Sequence, residues 1–316
     1  MGETVHGPAL ELSNVTKRFG AFTAVHDVSV RIPRGCTYGF LGPNGAGKTT
    51  TIRMIFDIVK PTSGRITVLG ASSPLAVRAR LGYLPEEKGL YKTMTAAATV
   101  AYFSSLKGLP RKAAKVRAYE LLERYGLGEF ADAKVQALSK GMSQKVQVLS
   151  AIAHEPELVV LDEPFSGLDP VNQQVLEELI RDLARRGSTV IFSTHVMEHA
   201  ERLCDRLLLI VKGRNVFDGT VAGAKAAIPR RVLISTESSV AALAKLDGVI
   251  EIKALGHSQA SAGAKDWEIR LREGTSAQQI LEKCFTSGIV LRRFDHSEPS
   301  LHDAFVAIVG AEAASS

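Results

Sequence analysis

The chain has 316 residues, which is more than one hydrophobic core usually serves, so we expect a large domain and a smaller one. Hydrophobic residues make up 45% and charged residues 23%, as in ordinary globular proteins, and no apolar run is long enough to span a bilayer. The net charge of +6 comes from scattered basic residues, so nucleic acid is not a predicted partner, and the three widely spaced cysteines exclude a disulfide framework or a zinc site.

From Leu10 to about Gly219, short β-rich runs alternate with helical patterns along the chain. This alternation predicts an α/β domain with a mostly parallel sheet flanked by helices. An early apolar strand ends at Phe40-Leu41, and a helix is predicted over Thr51–Ile58. A glycine-rich segment lies between the two.

That segment matches the phosphate-binding loop pattern G-x-x-x-x-G-K-[ST], and the flanking strand and helix support the match. Its glycines let backbone N–H groups turn inward around phosphate oxygens, and the helix N-terminus adds partial positive charge. Lys48 is predicted to reach the β- and γ-phosphates, and the Thr49 hydroxyl to bind Mg²⁺. The predicted nucleotide-binding residues here are Gly42, Pro43, Asn44, Gly45, Ala46, Gly47, Lys48, Thr49 and Thr50. Taken alone, the loop indicates a nucleotide and no particular family.

Between about Ala96 and Val148 the pattern changes to helices without intervening strands. Breaks fall at Gly108–Pro110 and Gly126–Gly128. We therefore predict an inserted helical subdomain, about residues 96–150, within the larger domain.

The uniformly apolar run Leu158–Leu161 is typical of a central strand covered on both faces, and it ends in Asp162-Glu163. A carboxylate in the position of Asp162, at the exit of a buried strand beside a phosphate loop, can hold Mg²⁺. Glu163 is predicted to orient and deprotonate the attacking water. Acids are common at strand ends, so this interpretation depends on the phosphate loop.

A helix with one apolar stripe follows, and then a second central strand, Thr189–Phe192. The stripe consists of Val171, Val175, Leu176, Leu179, Ile180 and Leu183. His195, just after the strand, is predicted to donate a hydrogen bond to the γ-phosphate, although a histidine there taken alone is more often packed or on the surface. The predicted catalytic residues are therefore Lys48, Glu163 and His195.

After Gly219 the pattern starts afresh, which predicts a small α+β domain over residues 223–316 beside a larger domain of residues 1–222. Strands are predicted at Arg231–Ile234, Val249–Lys253, Ile269–Arg272 and Val290–Phe294. Helices are predicted at Val240–Leu246, Ala277–Phe285 and Leu301–Val309. The small, polar segment Ala254–Ala264 is predicted to be a hairpin tip.

The order and spacing of these pieces resemble an ABC ATPase over residues 9 to 220. The most specific element is Leu138-Ser139-Lys140-Gly141-Met142, which resembles the ABC signature segment, usually LSGGQ. A serine and a glycine amide at a helix N-terminus form a second phosphate cradle. The resemblance implies a head-to-tail homodimer that sandwiches ATP, with Ser139 and Gly141 binding the nucleotide held by the second copy. ATP and Mg²⁺ are the implied cofactors.

Other positions match the family one by one. Phe19 falls where an aromatic ring stacks on adenine, and Ser166–Asp169 resembles the loop that crosses the dimer interface. His195 falls on the switch histidine. Glu86 ends the segment Gly82–Glu86 where the family usually has a glutamine that touches Mg²⁺ or water. A carboxylate can bind Mg²⁺ but cannot donate a hydrogen bond, so Glu86 is a predicted metal and nucleotide ligand with an altered role.

The segments Glu86–Tyr91 and 138–142 together resemble one bacterial branch, the ATP-binding subunits of drug-resistance, daunorubicin-type and sodium-efflux exporters. Members of that branch pair with ABC-2-type permeases and carry a small C-terminal domain, whose end resembles Glu298–Phe305. The resemblance implies a peripheral protein at the cytoplasmic face of the cell membrane, or in the cytoplasm when free. Leu90, Tyr91 and Met94 are candidates for the groove that receives the permease, and ordinary packing explains them equally well.

Two other functions are compatible with the family. A soluble ABC ATPase of the ribosome usually has two ATPase domains, and one of DNA has long coiled coils, but this chain has one phosphate loop and no such insertion. Import is compatible with the same energetics, although the branch argues for export. The sequence does not specify the cargo, because the cargo path belongs to the permease.

Overall fold

The structure is a computed structural model that describes residues 7–87, 89–226, 228–257, 264–272, 274–296 and 298–315. The chain forms two compact units, Met1–Val221 and Ala222–Ser316. The boundary between the units lies one residue before the boundary predicted from the sequence. No helix among the described residues combines the length and apolar character that a membrane span requires.

The first unit holds the elements that precede Ala222. Its strands are β1 (Leu10–Phe19), β2 (Phe22–Ile32), β3 (Thr37–Leu41), β4 (Ser63–Val68), β5 (Leu81–Leu84), β6 (Leu158–Leu161), β7 (Thr189–Thr194), β8 (Arg206–Val211) and β9 (Arg214–Thr220). Its helices are α1 (Lys48–Ile55), α2 (Ala96–Leu106), α3 (Arg111–Arg124), α4 (Lys140–Ile152), α5 (Pro170–Arg185) and α6 (Met197–Leu203).

The main sheet has the strand order β5-β6-β7-β3-β8-β9, in which only the edge strand β9 runs antiparallel to its neighbour. Strand β6 is buried at all four residues because both faces of the sheet are covered. Leu158 and Val160 pack into the core on the side of α1, while Val159 and Leu161 pack with the helical subdomain. The predicted α/β class with a mostly parallel sheet is confirmed.

A second, three-stranded antiparallel sheet with the order β2-β1-β4 covers the face that carries α1. The expected alternation of strands and helices is therefore wrong for residues 10–32, where β1 and β2 form a hairpin. Gly20 has φ of 58° and turns the chain directly back, so no helix intervenes.

Helices α2, α3 and α4 follow one another without a strand and form the helical part of the unit. Thr95 accepts a hydrogen bond from Ala98 N–H and caps α2, and Ser139 accepts one from Met142 N–H and caps α4.

Two details of the predicted helices are wrong. Helix α1 ends at Ile55, three residues earlier than predicted. Asp57, two residues later, has a left-handed backbone conformation with φ of 57°, which cannot continue a right-handed helix. Val171 does not belong to the apolar stripe of α5. It lies in the first turn and is 69% exposed, whereas Leu176, Leu179 and Ile180 are buried.

The second unit is an antiparallel sheet with the order β11-β12-β10-β13. Its elements are α7 (Val221–Ala226, which begins at the last residue of the first unit), β10 (Arg230–Thr236), β11 (Val249–His257), β12 (Lys265–Leu271), α8 (Ala277–Thr286), β13 (Leu291–Asp295) and α9 (Leu301–Ser315). The apolar face of the sheet packs against α8 through Ile234, Ile269 and Ile280.

The helix predicted over Val240–Leu246 is wrong. The segment contains one short 3₁₀ turn, Leu243–Lys245, and the chain then turns at Gly248, which has φ of 98°. Burial of Val240 and Leu243 anchors the segment without a full helix. Of the predicted hairpin tip, residues 258–263 lie outside the described residues.

Candidate functional site

The candidate site lies at one edge of the main sheet, where three parallel strands end side by side. Leu41 at the end of β3 pairs with Thr194 at the end of β7, and Leu161 at the end of β6 pairs with Phe192. The glycine-rich loop follows β3, Asp162 and Glu163 follow β6, and His195 follows β7. The carboxyl-terminal edge of a parallel sheet is the usual place for a ligand site in this fold class.

The loop of residues 42–49 is held by close backbone approaches that only glycine permits. A Cβ atom on Gly42 would lie 2.1 Å from the Ile210 carbonyl oxygen, and one on Gly47 would lie 2.6 Å from the Ala24 carbonyl oxygen. Gly213 N–H donates to the Ala46 carbonyl and fastens the loop to the turn after β8. Pro43, Asn44 and Gly45 remain exposed, and Thr49 and Thr50 lie in the first turn of α1.

Lys48 is buried at the start of α1, with 6% of its surface exposed. Its Nζ donates to the Gly42 carbonyl at 2.7 Å and to the Pro43 carbonyl at 3.2 Å, and it lies 3.5 Å from Glu163 Oε1. The ammonium group is thus held inside the loop, where it can meet the phosphate groups of a nucleotide.

Asp162 is 1% exposed and its two oxygens differ in their partners. Oδ1 accepts from Ser193 Oγ at 2.5 Å and from Thr49 Oγ1 at 3.3 Å, whereas Oδ2 is buried without a hydrogen-bond partner among the described residues. Burial raises the pKa of this carboxyl, and the nearby Glu86 and Glu163 carboxylates raise it further, against the hydrogen bonds from Ser193 and Thr49.

An unpartnered oxygen of this kind fits a bound Mg²⁺, which uses one or two carboxylates together with hydroxyl, water and phosphate oxygens. Asp162 and Thr49 provide two such groups, and Glu86 lies close enough to influence Asp162. Within the described part of the chain, no group of three or more His, Cys, Asp or Glu side chains is arranged to hold a metal. A metal here therefore needs phosphate oxygens or water to complete its coordination.

Glu163 has an unusual backbone conformation, with φ of 47°. Its N–H donates to Ser193 Oγ at 2.8 Å, and its carboxylate lies 3.1 Å from His195 Nδ1 as well as near Lys48. A non-glycine residue in this region requires support from its surroundings, and such residues concentrate at functional sites. The structure therefore brings the predicted catalytic residues Lys48, Glu163 and His195 together.

Sequence reasoning missed Ser193, which is fully buried and joins the two acids by its single hydroxyl. The available signal was a serine near the end of strand β7, after the apolar residues 190–192 and directly before Thr194-His195. A buried hydroxyl needs a partner, so its position predicted a polar neighbour on the adjacent strand.

The remaining predicted ligands lie on other elements. Phe19, at the end of β1, is 50% exposed, and Lys17 Nζ lies 4.9 Å from its ring centroid. Ser139 and Gly141 form the N-terminus of α4, where Gly141 packs against Asn172. In the described part of the chain, the hydrogen bond of the Ser139 hydroxyl is to its own helix, at Met142, and not to the glycine-rich loop.

Fold and site together define a P-loop nucleotide-binding ATPase domain. The family model "ABC transporter" matches residues 25–166, and the model "ATP-binding protein DrrA1-3-like, C-terminal domain" matches residues 219–309.

Curated relatives and solved structures agree with these models. An uncharacterized ABC transporter ATP-binding protein of Bacillus subtilis, YhaQ, is 38% identical over 96% of this chain and 99% of its own length. The Nod factor export ATP-binding protein I of Burkholderia orbicola is 39% identical over 66% of this chain and 70% of its own length. A solved ATP-binding cassette, dimeric and in a post-hydrolysis state with ADP and Pi, aligns with a TM-score of 0.62 at 25% identity, covering 67% of this chain and 98% of its own.

The chain belongs to the family of ABC transporter ATP-binding proteins and carries a DrrA-like C-terminal domain. The resemblance inferred from the sequence is therefore confirmed, including its exporter-like branch.

Proposed function

We propose that this protein binds ATP with Mg²⁺, hydrolyses it within a head-to-tail homodimer, and powers a separate membrane permease that exports its cargo. The observation that supports this most directly is the arrangement of Lys48, Asp162 and Glu163 at one sheet edge, where Lys48 and Asp162 are buried and Asp162 Oδ2 has no hydrogen-bond partner among the described residues. Buried charges of this kind are costly unless a ligand compensates them.

Each residue has a role that follows from its atoms. Lys48 Nζ and the backbone N–H groups of residues 44–49 bind the phosphate oxygens, and the exposed Phe19 ring stacks on the base. Asp162, Thr49 and Glu86 hold Mg²⁺, which neutralises charge on the phosphates when it is bound. Glu163 accepts the proton of the attacking water. His195 Nδ1 lies 3.1 Å from the Glu163 carboxylate, and the other ring nitrogen of His195 can donate to a phosphate.

The signature residues support the dimer. Ser139 and Gly141 present a helix N-terminus, yet the described Ser139 contact is within α4 and not to the loop that holds Lys48. In the proposed dimer, this helix N-terminus binds the triphosphate of the ATP held by the second copy. ATP is then a reversible link between the two copies. The dimeric relative with ADP and Pi supports this arrangement.

An exposed aromatic cluster supports the permease partner. Tyr91, Tyr102 and Phe103 pack with ring centroids 5.5 to 6.4 Å apart, and Tyr91 and Tyr102 are 53% and 40% exposed. Tyrosines that are half exposed are typical of protein interfaces. We place a cytoplasmic segment of an ABC-2-type permease on this cluster, with the ATPase on the cytoplasmic face of the membrane.

We further propose that residues 1–222 are the ATPase domain, with the helical subdomain at about 96–150, and that 223–316 is an accessory domain. Export is supported by the Nod factor export relative.

The test of hydrolysis is Glu163→Gln. This variant keeps the shape of the side chain but removes the base, so we expect unchanged ATP binding, a loss of turnover on the order of 100-fold or more, and an ATP-dependent dimer in light scattering. Unchanged hydrolysis would show that another group prepares the water.

The test of the permease surface is Tyr102→Asp, with Leu75→Asp, also at an exposed apolar residue but outside the cluster, as the control. We expect Tyr102→Asp to lose co-purification with the ABC-2-type permease, while the ATPase rate of the isolated protein stays the same. If both variants co-purify equally with the permease, the aromatic cluster is not part of the interface with the permease.

A further inference from the structure

Two buried glutamines lie on the inner face of α4, the helix that begins at Ser139. Gln144 and Gln147 are 8% and 7% exposed and are three residues apart, so they lie on the same side of the helix. Each side-chain amide leaves the helix to reach a backbone carbonyl. Gln144 Nε2 donates to the Pro164 carbonyl at 3.3 Å, and Gln147 Nε2 donates to the Glu87 carbonyl at 3.1 Å.

Both accepting carbonyls belong to residues that directly follow a predicted site residue, the catalytic Glu163 in one case and the metal ligand Glu86 in the other. Pro164 follows Glu163 after strand β6, and Glu87 follows Glu86 after strand β5. The two strands are parallel neighbours, so the two segments leave the sheet side by side. One helix is therefore bonded to the segment of the water-activating carboxylate and to the segment of the metal-binding carboxylate.

Packing alone does not account for these residues. The rest of the buried surface of α4 is mainly apolar and includes Val146, Val148, Leu149 and Ile152. A buried amide costs free energy unless it is hydrogen-bonded, whereas an apolar side chain of similar size would fill the space without that cost.

The bonded segments also need external support. Glu163 has a left-handed backbone conformation, which needs support from its surroundings. Its N–H donates to Ser193 Oγ, and the carbonyl of the following residue, Pro164, accepts from Gln144. On the other segment, the Glu87 carboxylate pairs with Arg53 of α1, the helix that follows the phosphate loop. Glu87 thus joins α1 to α4.

We propose that Gln144 and Gln147 are positioning residues through which α4 sets the geometry of Glu163 and Glu86 in the same chain. This inference rests on the proposed function, in which the N-terminus of α4 binds the triphosphate held by the second copy. When Ser139 binds the nucleotide held by the second copy, α4 moves the two glutamine amides. The amides in turn move the Pro164 and Glu87 carbonyls, which lie beside the nucleotide held by the same chain as α4. The contacts of Gln144 and Gln147 thereby give the two ATP sites of the dimer a physical connection through α4.

The test compares Gln144→Met and Gln147→Met with the full-length wild type. Methionine keeps the length of the side chain but removes the N–H donor. Ser150→Ala is the matched control. Ser150 is 6% exposed, and its hydroxyl donates a hydrogen bond of 2.7 Å to the Val146 carbonyl oxygen within the same helix. The control removes one buried hydrogen bond without touching either segment.

We expect each methionine variant to lose on the order of tenfold in kcat while KM changes less than about threefold, because positioning acts on the chemical step rather than on binding. The Hill coefficient for ATP should fall toward one. In a Glu163→Gln background, both variants should still dimerise with ATP. Ser150→Ala should keep the wild-type kcat and Hill coefficient, and thermal unfolding identifies any variant that fails to fold.

Wild-type kcat and cooperativity in both methionine variants would overturn the inference and leave the proposed function intact. A wild-type protein that neither hydrolyses ATP nor forms an ATP-dependent dimer in the Glu163→Gln variant would instead overturn the proposed function.

Discussion

Two buried carboxylates, Asp162 in the first unit and Glu268 in the second, have opposite surroundings. Asp162 is 1% exposed and accepts hydrogen bonds from two hydroxyl groups on one oxygen, while the other oxygen has no partner within the described part of the chain. Glu268 is 9% exposed and accepts from Arg270 Nε at 2.9 Å, with Arg231 Nη1 at 3.5 Å. Those two arginines are paired further with Glu251 and Asp303.

The difference separates a ligand site from a structural one. A buried charge with its counter-charges in place serves the fold, while a buried charge without them costs stability and is retained for what it binds. We therefore expect substitutions at the sheet edge of the first unit to change ligand binding, and substitutions in the arginine network of the second unit to change stability. Four variants test this distinction.

Lys48→Ala should have the largest effect. Removing the buried ammonium from the loop should weaken ATP binding on the order of 100-fold, because a charge-assisted contact to phosphate is lost. The midpoint of thermal unfolding without nucleotide should change little. Lys60→Ala, at an 82% exposed side chain, is the control and should bind ATP as the wild type does, measured by calorimetry. Normal affinity in Lys48→Ala would contradict the assignment of the loop.

Glu268→Ala should lower the free energy of unfolding by about 2 kcal/mol, because it leaves two partly buried arginines without their shared partner. ATP affinity should stay within twofold of wild type. Asp247→Ala, which removes a fully exposed partner of Arg272, should have no measurable effect on stability. Urea unfolding at neutral pH separates these outcomes. A large loss of ATP affinity in Glu268→Ala would break the distinction between the two units.

Asp162→Asn should raise the midpoint of thermal unfolding at pH 7 without nucleotide or metal, on the order of 2 °C. The pKa of Asp162 is raised in the folded state, so the folded protein loses stability as pH rises from the unfolded value of 3.8 through the folded pKa. Asparagine does not ionise and avoids that loss.

The gain in Asp162→Asn should therefore shrink toward acid pH and reverse with MgATP, which should stabilise the wild type more than the variant. Differential scanning calorimetry at several pH values gives both comparisons. If Asp162→Asn is less stable than the wild type without ligand, the ionised Asp162 carboxylate must stabilise the folded protein through its existing hydrogen bonds, and the expected cost of its burial is wrong.

Glu86→Gln should have the smallest effect. It removes one of the carboxylates that raise the pKa of Asp162 and restores the hydrogen-bond donor usual at this position. We expect the Mg²⁺ concentration for half-maximal ATP hydrolysis to rise about two- to fivefold, because one negative charge near the metal is lost. An unchanged Mg²⁺ requirement would remove Glu86 from the metal site.

Local patterns predicted the larger part of the fold. The alternation of apolar strands and helices predicted the main sheet, because strands such as β6 are short, uniformly apolar and covered on both faces. The hairpin of β1 and β2 was not predicted, because three register shifts between the two strands interrupt the regular alternation of apolar residues that marks a strand. The helix expected over Val240–Leu246 is wrong because burial of Val240 and Leu243 anchors the segment with only one short 3₁₀ turn.

By itself, the sequence determined the glycine-rich loop with Lys48 and Thr49, the acids Asp162 and Glu163, and the family. The chemistry of these motifs lies in contiguous residues, so spacing along the chain is sufficient to recognise them. Only the tertiary structure decided that one oxygen of Asp162 has no partner among the residues that the structure describes, that Ser193 joins the two acids, and that Gln144 and Gln147 reach the neighbouring segments. Those features depend on hydrogen bonds between residues about 20 to 60 positions apart, and such pairings exist only once burial has brought the strands and α4 together.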